Sequence, residues 1–129
     1  MNARPGGVYV VPWNEAVHGV DLAEMLFLTA AKIPAVPYKP AKPRTYLEGE
    51  FLIPGQSGRL ERLHMDEGSD HGFHSLLTLK VVGSDVSVPP SGYDRVGMLV
   101  AHGQTSAEAQ MNLDVQRARL RLEIKKDPK

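Results

Sequence analysis

The stretch VGMLVAHGQTSAEAQMNL, residues 96–113, joins a strand pattern directly to a helix start signal. Its first part, Val96 to Ala101, is apolar and predicts a strand. Thr105 and Glu108 then have the capping-box spacing, in which each side chain reaches the other's free backbone amide. A helix is therefore expected to start at Thr105 and to run to about Ala118.

Alternation of apolar and polar residues predicts further strands on both sides of this stretch. After it, Leu120, Leu122 and Ile124 alternate with charged residues, which indicates a final strand. Before it, the same reasoning places strands at residues 44–53, 58–63 and 76–82. The acidic, glycine-containing segment Met65 to Gly72 is expected to be a loop.

The first third of the chain has helix signals instead. Pro12 to His18 is expected to form a short helix that ends at Gly19, because glycine accepts the left-handed conformation on which helices often stop. Asp21 then caps a second helix, whose spacing predicts one buried face made of the apolar residues Leu22, Met25 and Leu26. Four prolines within residues 33–43 exclude a helix there and predict an extended connector.

This order of elements predicts an α+β fold, an antiparallel β-sheet with two or three helices packed on one side. At 129 residues with 42% hydrophobic content, the chain suits one compact unit with a modest core. Lys plus Arg equals Asp plus Glu at 15 each, so no net field favours nucleic acid or an anionic membrane.

Two further absences in the sequence bear on the function class. There is no cysteine, which excludes disulfides, thiolate nucleophiles and cysteine-rich zinc sites. The most apolar early stretch, Ala23 to Ala31, is too short to span a bilayer. No membrane partner is expected, and a cytoplasmic location is the default.

A histidine- and acid-rich cluster invites two interpretations. Its members lie within eleven residues and are His64, Asp66, Glu67, Asp70, His71 and His74. Imidazoles and carboxylates are metal ligands, so a metal site is one interpretation. A solvated acidic loop is the favoured one, because no helix fixes the spacing of the ligands. Trp13 also has two interpretations, a substrate contact and a core anchor of the short helix.

Several separated stretches resemble one family. MNARPGG at the start, HGVDLAEML at 18–26, FLIPGQSGRLERL at 51–63 and VPPSGYDRVGMLVAHGQTSAEAQMNL at 88–113 are similar, in order, to the carboxyl-terminal part of ATP-grasp carboxylate–amine ligases. The L-amino-acid ligase group is the nearer relative. Biotin carboxylase is more distant, because that group carries an arginine in the strand corresponding to Tyr46 to Glu50, where this chain has YLEGE.

The resemblance implies a set of site residues at the amino terminus. In the family, the last strand of the nucleotide-binding fold ends in Glu-x-Asn-x-Arg, often continued by Pro-Gly-Gly. Asn2 is then expected to be the amide ligand of magnesium, a cation that prefers oxygen. Arg4 becomes the catalytic anion clamp, since a guanidinium binds carboxylate or phosphoryl oxygens in a bidentate manner. Gly6 and Gly7 are expected to permit close approach of the backbone to the bound molecule.

The resemblance also implies a division of the chain and a partner. Residues 1–32 are expected to hold the end of the metal strand and the following helices, and residues 33–129 the β-rich ligase lobe. Tyr93, Asp94 and Arg95 lie where the family closes its active site, although a turn with a surface ion pair is the favoured interpretation. His102, just before Gly103, is expected to be a turn residue rather than a base.

ATP and Mg²⁺ are implied as cofactors of the complete ligase, which forms an amide bond through an acyl phosphate. The family's lysine-bearing nucleotide cleft and its phosphate loop have no counterpart in this sequence. The chain is therefore expected to be a carboxyl-terminal fragment or small subunit, with no cofactor and no activity alone. Its expected partner is the missing amino-terminal ATP-grasp domains, and a homodimer is a further expectation. The alternative is a noncatalytic interaction module derived from the same lobe.

Overall fold

The computed structural model describes residues 9–34 and 42–126, which form three helices and six strands. The helices are α1 (Val10–His18), α2 (Leu22–Ala30) and α3 (Ser106–Arg119). The strands are β1 (Tyr46–Leu52), β2 (Gly58–Met65), β3 (Phe73–Thr78), β4 (Asp85–Val86), β5 (Gly97–Gly103) and β6 (Leu120–Lys125). The α+β class is confirmed.

The strands form two antiparallel three-stranded sheets. The first has the order β1-β5-β3 and the second the order β4-β2-β6. The core lies between these sheets and under α3, and its buried members include Leu52, Leu60, Leu63, Leu99 and Leu113. Antiparallel pairing is confirmed, and the structure divides the strands between two sheets where the sequence predicted one.

Bulges in β2 and β3 explain how residues three apart face the same core. In a regular strand, Leu60 and Leu63 would point to opposite faces. The register against β6 shifts between Leu60 and Arg62, and this extra residue turns both leucines inward. Likewise, β3 shifts between Phe73 and Ser75, so Phe73 and Leu76 both pack on the core. The predicted strand at 76–82 was therefore misplaced, because period-two reasoning cannot detect the bulge.

The helix start at Thr105 is confirmed. Its side-chain oxygen accepts a hydrogen bond from the Glu108 amide at 3.1 Å. The reciprocal bond differs from the prediction, because the Glu108 carboxylate accepts from the Gln104 amide at 2.9 Å, one residue before the cap. Both bonds satisfy amides at the start of α3, and they fix the turn between β5 and α3.

The two amino-terminal helices begin and end largely as predicted. Gly19 ends α1 with a left-handed φ of 68°, and Asp21 caps α2 by accepting from the Glu24 amide at 2.9 Å. The predicted buried face of α2 is wrong, since no residue of α2 is buried: Leu22 and Met25 are only half-buried, and Leu26 is 46% exposed. The reason is that, among the described elements, α2 packs mainly on α1 rather than on a sheet.

The helices lie on both faces of the first sheet, a detail that the predicted one-sided packing did not include. Glu50 of β1 binds Arg117 of α3, whereas a β-carbon on the neighbouring Gly49 would meet Trp13 of α1. Successive residues of a strand point to opposite faces. α3 and α1 therefore cover opposite faces of β1.

Candidate functional site

The predicted site residues Asn2, Arg4, Gly6 and Gly7 lie outside the described residues. The described residues begin at Tyr9, which lies two positions after Gly7 and is the N-cap residue of α1. Tyr9 contacts Phe51 of β1, with the ring centroids 6.1 Å apart and the planes tilted by 47°. The candidate functional site within the described residues is the surface around Phe51.

Trp13 anchors α1 to this surface. A β-carbon on Gly49 would lie 2.8 Å from Cη2 of Trp13 and 2.9 Å from Cε of Met98, so only glycine leaves room for the indole. The ring is half-buried. Of the two interpretations of Trp13, this contact favours the core anchor.

Arg95 also contacts Phe51. Its guanidinium carbon lies over the Phe51 ring, 4.2 Å from the centroid, which is a cation–π arrangement. Among residues 9–34 and 42–126, no carboxylate forms an ion pair with Arg95. Within those ranges, no carboxylate occupies the donor groups of this arginine.

A cavity of about 250 Å³ opens beside Arg95. Its walls come from the end of β1 and from the segment between β4 and β5. The lining residues are Ile53, Ser87, Val88, Pro89, Tyr93, Asp94 and Arg95. Four of these seven side chains are apolar or aromatic, so the cavity combines an apolar wall with one cationic and one anionic side chain, Arg95 and Asp94.

Asp94 holds the cavity wall together. Its carboxylate accepts a hydrogen bond from the Ser87 amide at 2.9 Å and contacts the Lys80 ammonium at 3.2 Å. The hydrogen bond from the Ser87 amide, and to a smaller extent the contact with Lys80, holds the pKa of Asp94 below its ordinary value. Asp94 also donates its own amide to the Ser87 carbonyl. The structural interpretation of this turn is thus supported, with Lys80 rather than Arg95 as the ionic partner.

The histidine- and acid-rich loop has a structural explanation. Arg119 of α3 donates to the carbonyls of Asp66 and Ser69 and pairs with Asp70 at 3.3 Å. The wholly buried Gln116 donates to the carbonyls of Ser69 and His71. Within the described part of the chain, no three histidine or acidic side chains converge as a metal site.

Two histidines of the first sheet lie near this loop, His102 on the central strand and His74 on an edge strand. His102 belongs to β5 itself, and the prediction of a turn residue was wrong because the strand extends to Gly103. Its amide donates to the Gly72 carbonyl, and its carbonyl accepts from Asn112 of α3. His74 lies on the β3 bulge, where desolvation and then the nearby His102 lower its pKa below 6.5.

The groups around Phe51 are suited to binding an anionic, partly apolar molecule. Arg95 offers a permanent positive charge, and the cavity offers an apolar surface. Sequence reasoning had noted Arg95 only as a member of the Tyr93–Arg95 turn. Its stacking on Phe51 was not predictable, because these residues are separated by more than forty positions and meet through the pairing of β1 with β5.

The fold matches two solved ATP-grasp structures. The structure of phosphoribosylglycinamide synthetase from Anaerococcus prevotii has a TM-score of 0.73 at 16% identity and is matched over 95% of this chain. The structure of L-amino acid ligase from Bacillus licheniformis has a TM-score of 0.73 at 13% identity, again over 95% of this chain. This chain spans 32% and 31% of their respective lengths.

No curated protein sequence matches the chain. None of the helices in the described ranges has both the length and the apolarity needed to cross a bilayer. The resemblance to the carboxyl-terminal part of ATP-grasp ligases is confirmed by a family model and by the shared fold. The family model for L-amino acid ligase C-terminal domain 2 matches residues 50–125, which is more than half of this chain, and the chain therefore belongs to that family.

Proposed function

We propose that this chain is the carboxyl-terminal lobe of an ATP-grasp ligase that joins a carboxylic acid, such as an amino acid, to an amine through an acyl phosphate. The observation that carries this proposal is the family membership of residues 50–125, together with the motif at residues 2–7 that precedes the fold. The cytoplasm, where ATP is abundant, is the compartment in which this activity would operate.

The amino-terminal motif supplies the proposed site residues. Asn2 would hold Mg²⁺ through its amide oxygen, and Arg4 would bind the anionic group that develops during transfer. Gly6 and Gly7 would let the backbone approach the bound molecule. When bound, ATP supplies the phosphoryl group and Mg²⁺ neutralises its charge. Residues 1–32 would then serve the nucleotide site, and residues 33–129 would form the supporting lobe.

An exposed apolar surface supports the need for a partner. In α2, Leu26 is 46% and Phe27 71% exposed, and no residue of α1 or α2 is buried. Exposed apolar patches of this kind commonly mark interaction sites. We infer that the nucleotide-binding part of the ligase, on the same or another polypeptide, packs against α2.

Reconstitution tests the proposal. The coding DNA next to this chain would be searched for the nucleotide-binding part, and the two would be produced together. We expect amino-acid-dependent release of phosphate from ATP only in the assembled protein. Arg4→Gln and Asn2→Ala should each reduce it by about 100-fold or more, the usual loss when a group that stabilises transition-state charge is removed.

Arg62→Gln is the matched control, because Arg62 is an exposed arginine of β2 whose partner is Glu123. It should leave turnover unchanged. Tight binding of Mg²⁺ and ATP by this chain alone, or full turnover by the Asn2→Ala protein, would contradict the proposal. Association with the nucleotide-binding part without any turnover would instead favour the noncatalytic interaction module.

A further inference from the structure

The cavity beside Arg95 has no role in the function described so far. We propose that it binds a small apolar carboxylate, with Arg95 holding the carboxylate and Ile53, Val88 and Pro89 contacting the apolar body. The binding itself stands on the cavity alone. Its biological role, as the subsite for an apolar acid or amino acid that the ligase joins, rests on the proposed function.

The size of the cavity sets the size of the ligand. Its volume of about 250 Å³ is below the roughly 300–1,000 Å³ of pockets that hold drug-sized molecules. An acid with a short branched chain fits this range. Tyr93, whose side chain is 83% exposed, stands at the rim, where its ring can cover a bound apolar group.

The charges around the cavity select an anion. Asp94 also lines it, but both oxygens of Asp94 have partners, the Ser87 amide and the Lys80 ammonium. Lys80 balances the charge of Asp94, so Arg95 is left as the unbalanced charge among the lining residues. An ammonium ligand would meet the repulsion of Arg95 and would have to displace Lys80 from Asp94.

Arg95 is also held in place before any ligand binds. Its guanidinium stacks on Phe51 at 4.2 Å, which limits the side-chain freedom that binding would otherwise remove. A planar guanidinium offers two parallel donors to a carboxylate. Phe51 also contacts Tyr9, which lies two positions after Gly7, so the proposed subsite is close in sequence to the proposed ligase motif.

Titration of the purified chain with 4-methylpentanoate tests this proposal. Backbone amide NMR signals of Ser87, Val88, Tyr93 and Arg95 should shift and saturate, with a dissociation constant on the order of 1 mM for so small a ligand. The uncharged analogue 4-methylpentanamide should bind roughly tenfold more weakly or not at all, because it cannot form the charge-assisted pair.

Two variants sharpen the comparison. Arg95→Gln should lose the same factor of roughly ten in affinity for the acid, while the rest of its spectrum stays at the wild-type positions. Arg62→Gln, which removes an arginine paired with Glu123 on β2, should bind as the wild type does. Because the amide analogue needs no mutation, the comparison holds even where a variant perturbs the fold.

Several results would overturn the proposal. They are the absence of shifts, equal shifts with acid and amide, or shifts scattered away from the cavity. Loss of acid binding in the assembled ligase, with the same amides covered by the nucleotide-binding part, would make the cavity a docking site instead. These titrations contain no ATP, so a failure of ATP turnover and a failure of acid binding are separate results.

Discussion

Gly49 leaves the space that Trp13 fills between α1 and the first sheet. In most strands a glycine weakens the structure, because it loses more conformational entropy on folding than other residues do and has no side chain to pack. Here the missing side chain lets an indole approach the strand backbone, with Met98 on the other side. The absence of a β-carbon at Gly49 therefore allows α1 to pack closely on β1, the strand that also carries Phe51.

Gly49→Ala should destabilise the chain by about 1–3 kcal/mol, the usual cost of overpacking a tight contact. The added β-carbon would lie 2.8 Å from Cη2 of Trp13 and must displace the ring or the Met98 side chain. Urea unfolding measures the change. Trp13 is the single tryptophan, so its fluorescence spectrum reports the displacement directly.

Gly55→Ala is the matched control, because no heavy atom lies within 4 Å of a β-carbon there. It should change the free energy of unfolding by less than about 0.5 kcal/mol. Equal stability and equal Trp13 emission in the Gly49→Ala and Gly55→Ala proteins would mean that α1 does not pack on β1 as described.

At the scale of elements, α3 holds the loop between β2 and β3 through a buried amide. Gln116 is wholly buried, and its Nε2 donates to Ser69 and His71 while its Oε1 accepts from Arg119 at 2.6 Å. A buried side chain with these bonds replaces the backbone pairing that the loop lacks. The loop is therefore part of the α3 structure rather than an independent acidic segment.

Gln116→Leu should cost about 1–3 kcal/mol, since it keeps the size of the side chain but leaves buried partners without hydrogen bonds. Amide hydrogen exchange should accelerate in residues 66–72, and urea unfolding gives the free energy. Gln110→Leu on the exposed side of α3, where the amide meets only Asp114, should stay within about 0.5 kcal/mol of the wild type. Unchanged exchange in the loop would contradict this account.

Elements with local signals were predicted well from the sequence. Gly19, Asp21 and Thr105 mark helix ends through bonds to residues at most four positions away, so their neighbours in the sequence are sufficient. The bulge at His74 depends on pairing with β5, almost thirty residues later, and the strand at 76–82 was misplaced for that reason. The tertiary partner decides such positions, and the local pattern does not.

The candidate site divides in the same way. A motif of consecutive residues, Asn2 to Gly7, could be recognised from the sequence, and its role stays a prediction. The pair of Phe51 and Arg95 could not, because two strands must meet before the ring and the guanidinium are neighbours. Asp94 was predicted in part: the sequence indicated the turn with a surface ion pair, but it did not indicate that Lys80 is the ionic partner of Asp94.

At the scale of the whole molecule, His74 makes stability depend on pH. Desolvation, followed by the charge of His102, lowers its pKa in the folded state below the ordinary 6.5. The unfolded chain therefore binds more protons in this window, and folding is favoured by high pH. The stabilisation is fully present above pH 6.5 and is lost as the pH falls through the folded pKa.

We expect the free energy of unfolding of the wild type to decrease from pH 7.5 to pH 5.5, and the decrease to be smaller in His74→Gln. Urea unfolding at both pH values measures this difference. NMR titration of the His74 imidazole, in the folded chain and in urea, supplies the direct test. A folded pKa at or above the unfolded one would show that the sign of the effect is wrong.

The exposed side of α2 leads to the final prediction, which concerns association with the nucleotide-binding part. Phe27 is 71% exposed and contributes little to folding, so Phe27→Ser should change the free energy of unfolding by less than about 0.5 kcal/mol. If the nucleotide-binding part packs on α2, the same variant should weaken association by at least about tenfold, because a central aromatic side chain often dominates an interface.

Val81→Ser separates this interface from a general loss of surface apolarity. Val81 lies in the connection between β3 and β4 and is 77% exposed, so its removal also deletes an exposed apolar side chain. Titration calorimetry with the nucleotide-binding part should find its affinity unchanged. Equal weakening by both variants would indicate nonspecific hydrophobic association. Weakening by Val81→Ser alone would move the interface from α2 to the β3–β4 connection, and α2 would then need another explanation for its exposed aromatic residue.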